Sequence, residues 1–122
     1  MEMVCLLFVL FIVKHFVCDF PLQAFPYMYA NKGTYGHPGG YLHAGVHGLG
    51  TFIVLIWFFG PLASLFGAVV DTVIHYHIDW AKMRLNAKTG WKPDNSELFW
   101  ISLGVDQMLH YLTYVLIIFM LL

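Results

Sequence analysis

Residues 62–80 read LASLFGAVVDTVIHYHIDW. A bilayer crossing takes roughly twenty predominantly apolar residues, and this run is just long enough. Three ionisable residues interrupt it, Asp71, His75 and Asp79, each four positions after the last. Spacing of four puts them on one face of a helix. Ionisable groups inside an apolar span are costly and rare, so they point to a site or a conduction path.

The same pattern repeats outward from that run. Gly60-Pro61 is a turn signal with almost nothing around it, so the preceding run, 41–59, forms a tight helical hairpin with it. That run carries His43 and His47. A first apolar run, 3–20, stops at Pro21 and carries His15 and Asp19. A last one, 96–122, carries Asp106 and His110. Each of the four segments thus holds a pair of metal-ligand residues one helical turn apart. The expected fold is all-α: one domain over 1–122, a bundle of four transmembrane helices at about 3–20, 41–59, 62–80 and 96–122. The connection 24–40 is rich in Tyr, Gly and Pro. The connection AKMRLNAKTGWKPDN (81–95) is the most polar stretch. Asp94 followed by Glu97 resembles a capping box for the last helix.

Composition agrees. The chain is 60% hydrophobic and 11% charged, with mean hydropathy +0.71. Soluble domains run near 25% charged. The net charge of -1 leaves no basic surface for nucleic acid. Cys5 and Cys18 lie far apart on one helix, cannot bridge there, and read as small apolar fillers. The N-terminal run has no basic n-region and no small-residue cleavage site, so it reads as a retained span.

Lys and Arg set the expected orientation. The first connection holds Lys32; the third holds Lys82, Arg84, Lys88 and Lys92; the opposite side has none. The positive-inside rule places those connections in the cytoplasm and both termini outside. All four pairs then fall in the same half of the membrane, although the charge count did not use them.

Five His and three Asp exceed the needs of one ion. Zinc takes about four ligands. The expectation is one or two divalent ions held by His15, Asp19, His43, His47, His75, Asp79, Asp106 and His110, with unused members supporting the ligands. Imidazole with carboxylate suits zinc, iron or manganese; zinc is favoured because no thiolate cluster or haem motif is present. Asp71 and Asp106 are the candidate catalytic bases of a metal-dependent hydrolase acting near the cytoplasmic leaflet. Gln23 and Gln107 are placed to orient ligands or bind substrate. Two other classes compete: a non-catalytic membrane factor whose His/Asp network only ties the helices together, and a proton or metal-ion transporter. The outer halves of the spans hold almost no polar residues, which argues against a continuous path. His-Glu-x-x-His is absent, because Ala44 stands where the Glu would be. His37 reads as a loop residue facing solvent, His77 as pointing away from the His75 face. Lys14 snorkels or pairs with a carboxylate. Gly40, Ala44, Gly45 and Gly48 allow close packing within the bundle or across a homo-oligomer; membrane lipid is the other expected partner.

The run His15-Phe-Val-Cys-Asp19-Phe-Pro-Leu-Gln23, with His43-Ala-Gly-Val-His47-Gly, His77-Ile-Asp79-Trp-x-Lys82 and Asp106-Gln107-x-x-His110, resembles the domain-of-unknown-function 3307 family of small integral membrane proteins of bacteria and their phages. The resemblance spans most of the chain. It implies a four-helix fold in a bacterial inner membrane and no settled activity. The third motif admits either His75 or His77 as the ligand.

Overall fold

The computed structural model describes all 122 residues. It is all-helical: α1 (Glu2–Asp19), a 3-10 turn (Leu22–Ala24), α2 (Pro26–Tyr29), α3 (Pro38–Leu55), α4 (Pro61–Thr89) and α5 (Glu97–Leu121). The four long helices close into a bundle, with α3 on α4, α4 on α5, and α1 against both α3 and α5. Two segments are long and apolar enough to cross a membrane, Glu2–Ala24 and Glu97–Leu121. The glycines and histidines of α3 and the carboxylates and lysines of α4 lower the hydropathy of the other two.

Local chemistry sets the boundaries. Pro38 and Pro61 sit in the first turns of α3 and α4, where a missing N–H costs nothing. His37 caps α3, its Nδ1 accepting from Gly39 N at 3.0 Å. The expected hairpin is present, with α3 ending at Leu55, a little earlier than expected. The expected third segment, 62–80, extends to Thr89, because AKMRLNAKT is a strong helix-forming sequence, polar as it is. At 1.5 Å per residue its 29 residues span about 43 Å, longer than a hydrocarbon core of about 30 Å. Gly90 ends it in the left-handed conformation (φ 73°), its N–H closing on Asn86 O. The cap of α5 is Ser96, whose hydroxyl accepts from Leu98 N at 3.2 Å, and not Asp94. A serine in extended backbone directly before the helix reaches the second N–H; Asp94 lies two residues too early.

The bundle is polar inside and apolar outside. Polar and charged side chains outnumber apolar ones among the 30 buried residues, while Leu62, Trp57 and Phe119 are each about four-fifths exposed. The apolar core is confined to one end: Leu7, Phe11, Leu55, Tyr114, Ile117 and Ile118. Gly48 makes the tight α3–α4 seam possible, since a Cβ there would collide with the Thr72 hydroxyl and press on the Ala68 carbonyl. Gly40 faces Tyr76 in the same seam, whereas Gly45 faces open space.

Candidate metal centre

The inward face of each long helix delivers one pair to the same place. On α1 the buried stripe Leu7, Phe11, Lys14, His15, Cys18, Asp19 follows the helical repeat. On α3 it is His43 and His47, on α4 Asp71, His75 and Asp79, on α5 Asp106 and His110. All eight of the residues expected as ligands join one connected cluster near the end that bears the first and third connections.

Two carboxylates organise it. Asp19 Oδ1 lies 3.2 Å from both His43 Nε2 and His47 Nε2. Its Oδ2 lies 3.1 Å from His15 Nε2. Asp79 Oδ2 lies 3.1 Å from His43 Nε2 and 3.4 Å from His75 Nε2, and Oδ1 lies 3.4 Å from His110 Nε2. His43 Nε2 and His75 Nε2 are 3.1 Å apart. The rings stack, His75 between His47 (3.6 Å between centroids) and His110 (4.0 Å). Every Nε2 therefore points at the focus. The Nδ1 atoms of His43, His47, His75 and His110 are buried without a partner.

Proton counting constrains this arrangement. A neutral imidazole has one N–H and one lone pair. His43 Nε2 faces two carboxylate oxygens and another ring nitrogen, and one hydrogen cannot serve all three. His110 Nε2 makes no hydrogen bond at all. A cation at the focus would accept several lone pairs at once. Two groups have ligand atoms within 4.8 Å of one another: Asp19, His43, His47 and His75, and His75, Asp79 and His110. The first offers the four N/O ligands that zinc takes.

His15 differs from the other four. Its Nδ1 is 2.7 Å from the Tyr114 hydroxyl, and its Nε2 also lies 3.0 Å from Gln107 Oε1. Both nitrogens are satisfied by protein, so His15 orients Asp19. Gln107 also donates to Asp106 Oδ2 at 3.1 Å. Asp106 sits at the edge, with Oδ1 3.7 Å from His110 Nε2 and Oδ2 3.6 Å from Lys82 Nζ.

Asp71 does not enter the cluster. Its Oδ2 accepts from Lys14 Nζ at 2.6 Å and from Thr51 Oγ1 at 2.5 Å. It lies one turn before His75, so it shares the face without sharing the depth. Between His75 and His77 the structure is unambiguous. His75 is fully buried in the cluster. His77 is exposed and contacts Val73 O and the Tyr35 hydroxyl.

One lysine belongs to the site that sequence reasoning did not place there. Lys32 reaches in from the first connection, buried, 2.7 Å from Asp79 Oδ2. Its Nζ also donates to Gln23 Oε1 at 2.6 Å, and Gln23 donates to Asp19 O. Lys14, expected to snorkel or to pair with a carboxylate, does the second: it is buried on Asp71, outside the cluster. The sequence signal for Lys14 was present, a lysine in an apolar span beside His15. For Lys32 there was none, because a loop lysine reads as a solvated charge.

Fold and site together define the chain as an all-helical protein whose buried His/Asp groups could hold a metal ion. The family model described as "Protein of unknown function (DUF3307)" matches residues 7–122, and the chain belongs to that family. No curated protein and no solved structure matches it.

Proposed function

We propose that the protein is a membrane-embedded metalloprotein of the bacterial inner membrane, and that its centre serves a metal-dependent hydrolase. All four long helices span, both termini lie outside, and the site opens toward the cytoplasmic leaflet. The apolar exterior around a polar interior supports that placement, as does the Lys and Arg excess on one end.

One observation carries the metal reading. Asp71 and Asp79 each have a buried lysine, at 2.6 Å and 2.7 Å. Asp19 pairs only with imidazoles. A buried carboxylate without a fixed cation is costly. A divalent ion among Asp19, His43, His47 and His75 would neutralise it, with Asp79 and His110 offering a second position. Zinc fits the ligand set, and iron or manganese also take imidazole and carboxylate. When bound, the ion would supply Lewis acidity toward a carbonyl or phosphoryl oxygen.

The remaining residues divide by what they touch. His15 and Gln107 hold Asp19 and Asp106 in place. Asp106 is the better general base of the two acids considered, because its Oδ1 is buried with no hydrogen-bond partner at the rim of the cluster. Asp71 is neutralised by Lys14 and serves the bundle. A second reading is favoured by the same contacts: a wholly structural His/Asp network needs no ion if one or more of the imidazoles are charged.

Elemental analysis of detergent-purified protein separates them. The expected result is at least one divalent ion per chain, lost in His75→Ala and kept in His77→Ala. Wild-type protein that is metal-free yet has unchanged thermal stability in chelator would establish the structural network. Cysteine labelling at Thr89 and Leu122 from opposite sides checks the orientation; labelling of both from one side would overturn it.

A further inference from the structure

Two cavities meet beside the metal centre. One is a cleft of about 510 Å³ at the end of the first and third connections. Its lining includes Asp19, Lys32, Lys82, Lys92, Gln107 and Trp91. The other is a groove of about 660 Å³ between α4 and α5, opening on the apolar exterior. Its wall is mainly apolar, with Ile74, Ile78, Leu85, Ile101 and Val105 among ten hydrophobic residues of fourteen. Lys82 and Trp91 line both. The two are therefore adjoining compartments, one cationic and one apolar.

The charges in the cleft are unevenly matched. Lys32 is bound to Asp79. Lys82 is 3.6 Å from Asp106, a loose pair for an ammonium with three donors. Lys92 is exposed and pairs with no carboxylate. The mouth of the cleft carries positive charge available to an anion, and its floor is the Asp19 carboxylate of the metal centre. An apolar groove that meets lysines at an interfacial tryptophan matches a molecule with an anionic head and a hydrocarbon chain.

We propose that cleft and groove together bind an anionic glycerophospholipid. Its phosphate lies between Lys82 and Lys92, and one acyl chain lies along α4 and α5 in the groove. The proposal rests on the membrane-embedded reading and names the substrate class of that centre. It explains why α4 runs past the hydrocarbon: the extra turns carry Lys82 to the headgroup level and form one wall of the cleft. Lys82 is the selecting residue, because it alone touches both compartments with a charge.

The test is native mass spectrometry of the full chain released from detergent. The probes are short-chain phosphatidylglycerol, phosphatidylcholine of the same chain length, and inorganic phosphate. Phosphatidylglycerol should bind at least tenfold more tightly than either other probe. Lys82→Gln should bring the two lipids to within threefold. Lys92→Gln, at an exposed position that cannot threaten the fold, should weaken phosphatidylglycerol about threefold and leave phosphatidylcholine unchanged. Val105→Trp, which fills the groove, should weaken both lipids. Equal affinity for the two lipids overturns the charge selection. Phosphate binding as tightly as phosphatidylglycerol reduces the site to a headgroup pocket and overturns the groove. Indifference to Lys92→Gln and Val105→Trp overturns the whole proposal. Metal content of the same samples is read separately. Metal without lipid selectivity overturns this inference alone, and lipid selectivity without metal overturns the metal centre alone.

Discussion

At one end of the bundle Leu7, Phe11, Leu55, Ile117 and Ile118 close on one another and on the Tyr114 ring. At the other, His15, His43, His47, His75 and His110 surround Asp19 and Asp79. The two ends are built from the same helices, and the change occurs within one turn. On α1 the inward stripe passes from Phe11 to Lys14; on α5 it passes from His110 to Thr113 and Tyr114. A layer at the boundary joins them. Lys14 bonds Asp71 and contacts the Tyr114 hydroxyl at 3.3 Å, Thr51 bonds the same Asp71, and Phe11 stacks on Tyr114 at 4.8 Å. The apolar end can lose atoms and relax around a cavity. The polar end cannot, since each removal strands a charge or a lone pair where water does not reach. One end is held by apolar packing, and the other by polar groups that depend on one another for partners.

The largest effect is expected at the boundary. Lys14→Met strands the Asp71 carboxylate and should cost about 3–5 kcal/mol of bundle stability. Lys14→Met combined with Asp71→Leu should recover most of the loss. Equilibrium unfolding in mixed micelles measures both; a double variant no more stable than the single would show that the pair is not what joins the two ends.

A smaller effect separates the ends by what they hold. Leu55→Ala removes a fully buried side chain from the apolar end and should cost about 3 kcal/mol. Metal content should not change. His47→Ala should lower metal content and stability together, because ligands contribute both. Equal loss of metal in both variants would mean that the ends do not act independently.

The smallest lies in the α3–α4 seam that aligns His43 and His47 with His75. Gly48→Ala forces a methyl group against Thr72 and the Ala68 carbonyl, and overpacking of that kind costs about 1–3 kcal/mol. Pairing it with Thr72→Ala should relieve part of the strain. Full wild-type stability in Gly48→Ala alone would show that the seam has slack.

Much of this arrangement is legible in the chain. The one-turn spacing in four successive apolar segments points to the eight clustered His and Asp residues, and the Lys and Arg excess of the first and third connections marks the end where they meet. Those signals are local, and a helix translates spacing into direction without help from its neighbours. Other features resist such reading. Asp71 and His75 look equivalent in the sequence, because both obey the four-residue repeat. They part only because Lys14 of α1 arrives at the depth of Asp71 and not at that of His75. The end of α4 lies at Thr89 and not at Trp80: polar residues after an apolar run read as a connection, whereas helix propensity carries the helix on.

By itself the sequence determined the helix class, the four inward stripes and the residue types that could ligate a metal, since each follows from periodicity and side-chain chemistry within one segment. Only the tertiary structure decided which histidine shares which carboxylate, that Lys32 returns from a connection to Asp79, and that Lys82 joins a cationic cleft to an apolar groove. Those facts depend on distances between helices far apart in the chain, and such distances come from how the faces pack, not from the order of residues along any one of them.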